Sequence, residues 1–356
     1  MTNDGLDHEH EPVWSVEAEV GGDGTAALPR PGAITFPYRE RRPRPPLTEK
    51  QIERRRLRRE RWGPPRADLG GRLLTVTLLA LGVTLAVAIA VFGMTLSTDR
   101  YLLILLVPAL VLRRGRLYLR DFGIFAALIF VYSELRGLAH VISPNPFYTP
   151  QLNLDKWLFA GYVPTVELQQ WWWTGSMRWY DHLLIDVARL HFIVPPLLAF
   201  CLWMKRRALF FRFASSVLLL CFAAALTFVV FPTAPPWAAG KTLLTPTVTQ
   251  IDDHNWGAVG SSFSLSKVIA PNPYAAIPSL HGGFAMLCFV FVVALAWRTR
   301  WRWPVVALAS FYPLALSFAR VYTGDHYVVD LLAGYLYAVA AYLVVGWYWR
   351  RNELPQ

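Results

Sequence analysis

Apolar runs long enough to cross a bilayer recur along this chain from residue 73 onward, and short basic clusters separate them. A helix rises ~1.5 Å per residue, so about 20 such residues span the ~30 Å of hydrocarbon. Runs of this kind cover residues 73–96, 122–142, 183–204, 213–231, 280–297, 305–318 and 328–347. An eighth, 101–112, is short and contains Pro108. With 54% hydrophobic and only 17% charged residues among 356, a large soluble enzyme is excluded. The expected fold is all-α, a polytopic membrane bundle of about eight spans.

The net charge of +11 is unevenly placed. Much of it lies in residues 30–72, and the rest falls in short clusters at 113–120, 205–212, 298–302 and 350–351. If the basic tail is cytoplasmic and the short run crosses, all four clusters fall on the cytoplasmic side as well, as the positive-inside rule requires. Without that crossing all four would lie on the side opposite the tail. Both termini are then cytoplasmic in an integral plasma-membrane protein, and segments 143–180, 232–277 and 319–327 face outward. The charge pattern suits anionic lipid headgroups at the tail and not nucleic acid, since nothing in the tail forms a base-reading fold. Residues 1–70 read as a polar, disordered tail without a signal peptide. Residues 48–62 are compatible either with a basic helix on the membrane surface or with a solvated segment. Cys201, Cys221 and Cys288 all sit in apolar runs without redox or metal spacing.

The chemistry concentrates in 319–330, A-R-V-Y-T-G-D-H-Y-V-V-D. Ionisable groups at membrane depth are costly, which makes them candidates for function. In a helix His326 and Asp330 share a face, so the carboxylate can hold one imidazole nitrogen while the other meets substrate. A structural Arg320–Asp330 ion pair beside an interfacial histidine is the competing reading. P-S-L-H at 278–281 opens the sixth span, counting the short run, where helix N–H groups and the Ser279 hydroxyl form an anion site. A plain helix cap is the alternative there. Glu134, Arg136, His140, Asp186, Arg189 and His191 lie near the outward ends of two further runs, either in structural pairs or at a substrate. Two histidines, an aspartate and an arginine suit phosphoryl transfer. No carboxylate cluster beside them suits a divalent metal, so neither metal nor cofactor is expected. Asp252, Asp253 and His254 come nearest, and read as a solvated loop.

P-S-L-H followed by A-R-x5-H-x3-D resembles the second and third motifs of the type 2 phosphatidic acid phosphatase superfamily. D-K-W-L-F-A-G-Y-V-P-T (155–165), His191–Phe192 and P-T-A-P-P-W (232–237) are similar to its inositolphosphotransferase branch, which includes inositol phosphorylceramide synthases. The resemblance implies a six-span catalytic core at 121–350, preceded by two additional spans at 71–120. It further implies His326 as nucleophile, Asp330 as its partner, His281 as general acid and Arg320 as phosphate ligand, without metal. Two departures stand out. Ala319 occupies the position of a usual serine. The first motif, K-x6-R-P, is absent from any outward position: Lys205 and Arg212 have the spacing, but Phe213 replaces the proline and the topology puts them at the cytoplasmic face. Arg136 and Arg189 are the candidates for the missing positive charge.

The expected activity is that of a membrane lipid phosphatase or phosphotransferase acting on a phospholipid or polyprenyl phosphate. The long outward segments favour transfer. An anionic-lipid transporter would use the same buried charges, but no inverted repeat is evident. A catalytically inactive scaffold is the third possibility, which the intact histidines disfavour.

Overall fold

The computed structural model describes residues 98–112, 114–244, 246–251, 272 and 274–351. The tail, the first apolar run and the D-D-H sequence at 252–254 lie outside these residues.

Among the described residues, helices account for nearly all regular structure. In chain order these are α1 (Thr98–Val111), α2 (Gly115–Ile142), α3 (Pro150–Leu158), α4 (Pro164–Trp172), α5 (Trp179–Lys205), α6 (Arg207–Val230), α7 (Leu280–Ala296), α8 (Arg302–Tyr322) and α9 (Val328–Arg351). Five of them, α2, α5, α6, α8 and α9, are long and apolar enough to cross a membrane, and α7 is a shorter apolar helix. These six are the last six long runs of the sequence, and the fold is a polytopic all-α membrane bundle. The helices extend beyond the apolar runs into flanking charges. Thus α8 continues through Arg320 to Tyr322, so this arginine is helical and not in a loop.

Helix α7 is the hub, packing against α9, α8, α5 and α6. Its contact with α9 is backbone against backbone. A Cβ at Gly334 would lie 2.2 Å from the Ser279 carbonyl oxygen, so only glycine admits this approach. The Ser279 N–H donates to the Asp330 carbonyl at 2.9 Å, which splices the start of α7 to the first turn of α9.

The bundle has two chemically distinct ends. At one, Arg114 donates to the Met204 carbonyl and Arg207 pairs with Asp121, so the basic clusters gather together. Beneath them Tyr118, Phe122, Phe200, Trp203 and Phe210 form an aromatic core. At the other end lie the starts of α7 and α9 with their histidines. Arg212 sits against Gly346, sixteen residues along α9 from Asp330, or about 24 Å. Lys205 and Arg212 therefore belong to the basic end, well away from the histidines.

The polar segment between α2 and α5 is ordered into α3 and α4. Each buries the same pattern of positions, i, i+1 and i+4: Gln151, Leu152 and Asp155 on α3, and Thr165, Val166 and Gln169 on α4. Their polar groups bond across to the α8–α9 junction. Gln169 donates to the carbonyls of Tyr322 and Thr249, both at 2.8 Å, and accepts from the Thr249 N–H. Gly324, at φ +86°, turns the chain between α8 and α9. A side chain there would also strike the Thr249 carbonyl at 2.7 Å.

Candidate active site

Both histidine motifs sit where helix starts converge. Ser279 caps α7, its hydroxyl accepting from the Gly282 N–H at 3.4 Å. The helix therefore begins after Ser279, at Leu280, where the apolar run begins. His281 occupies the first turn and its Nδ1 lies 3.1 Å from His326 Nε2. Behind His326, Nδ1 is 3.4 Å from Asp330 Oδ2. That separation is electrostatic contact rather than a well-formed hydrogen bond. Asp330 Oδ2 accepts instead from the Tyr327 N–H at 3.0 Å. Asp330 Oδ1 and His326 Nδ1 are buried without a hydrogen-bond partner among the described residues, a costly condition that marks a polar site held ready. The i,i+4 relation expected for His326 and Asp330 thus has a physical counterpart, although His326 itself stands just before α9.

His191, from the interior of α5, places its ring edge-to-face with His281 at 4.2 Å between centroids. Its Nδ1 lies 2.9 Å from the Ala188 carbonyl. A carbonyl only accepts, so Nδ1 carries the hydrogen in that contact. Three buried or half-buried imidazoles from three helices therefore meet.

Two guanidinium groups lie within electrostatic reach of His191 and His281, those of Arg320 and Arg136. Arg320 is buried and bound to Asp325 at 2.8 Å. The competing reading of the sequence, a structural ion pair, had offered Asp330 as its partner. Its position six residues before His326, on the last turn of α8, directs it to the loop carboxylate instead. Arg136 is an exposed residue of α2, six positions before the helix ends. Arg189 is buried on α5 and pairs with Asp186 at 3.3 Å. It is two residues from His191, about 200° round the helix, so the two do not share a face. Ser279 is fully buried and occupied as a cap and splice. The side chain of His140 is outside those described.

The sequence gives no direct sign of Asp155 as a site residue. Its Oδ1 and Oδ2 accept from the N–H groups of Val329 and Val328, at 3.0 and 3.1 Å. A carboxylate brought from α3 thus caps the helix that carries Asp330 and follows His326. Burial raises its pKa to about 6, nearby Asp330 pushing the same way and the two N–H groups opposing. The partners are more than 170 residues away in sequence, beyond any local signal. The same holds for Asp181, which accepts from the Tyr322 hydroxyl and ties α5 to the end of α8.

Such a bundle, with paired histidines at the convergence of helix starts, an aspartate behind one and arginines around them, has the chemistry of a membrane phosphoryl-transfer site. Residues 152–344, more than half of the chain, match the family described as the PAP2 superfamily, and the chain belongs to it. A curated relative, the phosphoinositol dihydroceramide synthase of Bacteroides thetaiotaomicron, is 27% identical over 157 residues, which is 42% of this chain and 50% of the relative. The chain thus spans about half the length of that relative, whose likeness supports the inositolphosphotransferase-like branch. No solved structure matches.

Proposed function

We propose that the chain cleaves or transfers a phosphate-linked lipid headgroup through a phosphohistidine on His326. The observation that carries this reading is the 3.1 Å approach of His281 Nδ1 to His326 Nε2, with Asp330 behind the second ring. Substrate phosphorus displaces that direct contact. The Nε2 lone pair of His326 then attacks phosphorus and the ester P–O bond breaks, the leaving oxygen taking a proton from His281. In the second half the acceptor O–H gives its proton to His281 while its oxygen attacks phosphorus and the P–N bond breaks. Asp330 orients His326 and offsets the positive charge it gains. Arg320 and Arg136 balance the phosphoryl oxygens, and Arg136 stands in for the cation of the missing first motif. Ala319, buried in α8, contributes no hydroxyl.

The acceptor is water in a phosphatase and an alcohol in a transferase. The name of the curated relative supports transfer, with an inositol-bearing headgroup and a sphingolipid-type alcohol as the first substrates to try. The distribution of basic clusters supports both termini in the cytoplasm and the histidine end on the outer face of the plasma membrane. The chemistry assigned to the two histidines needs no metal, so EDTA should leave the reaction intact. The deciding experiment incubates purified protein with phospholipids and polyprenyl phosphates, with and without alcohol acceptors, and identifies products by mass. Headgroup release or transfer that vanishes in His326→Ala is the expected result. Turnover undiminished in that variant overturns the mechanism.

A further inference from the structure

Helices α3 and α4 are two-faced. Their inward faces are packed against the bundle: Asp155 and Thr165 are completely buried, and the Thr165 hydroxyl reaches the His326 carbonyl at 3.5 Å. Two residues beyond the last inward polar group of each helix, on the opposite side, stands an exposed tryptophan. Trp157 follows Asp155 and is 77% exposed, and Trp171 follows Gln169 and is 72% exposed. Leu158, Phe159, Tyr162 and, at the start of α5, Trp179 enlarge this surface. Solvent is a poor environment for so many large apolar groups.

What covers them follows from their position. The pair of helices lies between the end of α2 and the start of α5, where the bundle leaves the membrane. Along the chain it is flanked by exposed apolar residues of the membrane helices, Leu138, Val141 and Ile142 on α2 and Leu183 on α5. Tryptophan and tyrosine, apolar rings with a polar edge, favour the headgroup boundary of a bilayer.

We propose that α3 and α4 form an interfacial platform, seated through Trp157, Tyr162, Trp171 and Trp179 in the headgroup boundary of the bilayer the protein spans. Through Asp155 and Thr165 the platform holds His326 at the depth of lipid phosphates. The seat does not depend on the reaction proposed above; the purpose of the depth rests on it.

The test uses the full chain in nanodiscs, with an environment-sensitive fluorophore at Trp157→Cys or Trp171→Cys after Cys201, Cys221 and Cys288 are replaced by alanine. Lipids brominated high on the acyl chain should quench the probes at least about twofold more than aqueous iodide. Stronger quenching by iodide overturns the seat, and so does efficient disulfide cross-linking between two copies at these positions, which would make the face a protein interface. Intrinsic emission guards against failed labelling: Trp157→Phe with Trp171→Phe should shrink the bromolipid-quenched fraction, and an unchanged fraction overturns the proposal. For the link to His326, the Val328 and Val329 amides should exchange hydrogen about tenfold faster in a Trp157→Ser, Trp171→Ser variant. Unchanged exchange removes the link. Neither readout requires turnover, so failure here is separable from failure of the proposed reaction.

Discussion

The two ends of the bundle handle buried charge in opposite ways. At the basic end Asp121 is closed off by four donors: Arg207 Nε and Nη2 at 2.5 and 2.6 Å, the Trp203 indole at 3.0 Å and Arg120 Nε at 3.3 Å. Arg212, whose Nε lacks a hydrogen-bond partner there, lies over the Tyr342 ring at 4.7 Å. At the histidine end His326 Nδ1, Asp330 Oδ1 and the Tyr327 hydroxyl are buried with capacity left over. Satisfied polar groups favour a fixed structure, whereas capacity left open is what an incoming ligand can use. The contrast separates residues that hold the bundle from those that act in it.

The strongest challenge to this division is His326→Ala. Loss of the nucleophile should lower turnover by about four orders of magnitude or more and abolish a trapped phosphoenzyme, while the melting temperature changes little. His281→Ala should cost about 10²- to 10⁴-fold in turnover, with smaller losses for substrates whose leaving group needs no proton, measured as a series of leaving groups. Arg136→Ala should reduce kcat/KM by about tenfold or more, the scale of a lost charge-assisted contact of about 1.5–3 kcal/mol. An unchanged value would take Arg136 out of the site. At the other end the pattern should invert. Asp121→Asn should lower stability by about 2 kcal/mol in detergent unfolding and leave turnover within about twofold.

The smallest effect concerns Asp155, which belongs to the histidine end yet is satisfied. Its pKa is raised on folding to about 6, so the folded state holds this proton more tightly than the unfolded chain. Its contribution is largest below the ordinary carboxylate range and declines as pH rises through about 6. The stability difference between the native chain and Asp155→Asn should fall accordingly between about pH 4 and 6. A difference that grows with pH would reverse the assignment.

Much of this was legible beforehand. The last six long apolar runs became helices because composition and length suffice where backbone groups must be satisfied internally. His281, His326 and Asp330 came together because both histidine motifs stand at the starts of α7 and α9. Segment 143–180 was legible as polar and tryptophan-rich, with a family-like stretch at 155–165, but not as two helices. Nine-residue helices such as α3 and α4 show barely two turns of periodicity, and the partners of Asp155 and Gln169 are remote in sequence. The meeting of His191 with His281 likewise depends on the packing of α5 against α7, which no local pattern encodes.

The backbone splice at Gly334 has a consequence for how such a site can diversify. The start of α7 rests on α9 with no side chain between them, so the gauge separating the His281 and His326 rings is set by main-chain contact. Ordinary substitutions cannot retune it in small steps, since even one methyl group at position 334 forces the helices apart. Accommodation of a larger headgroup must then come from the movable walls, Arg136 on α2 and His191 on α5, while the reacting gap keeps one width.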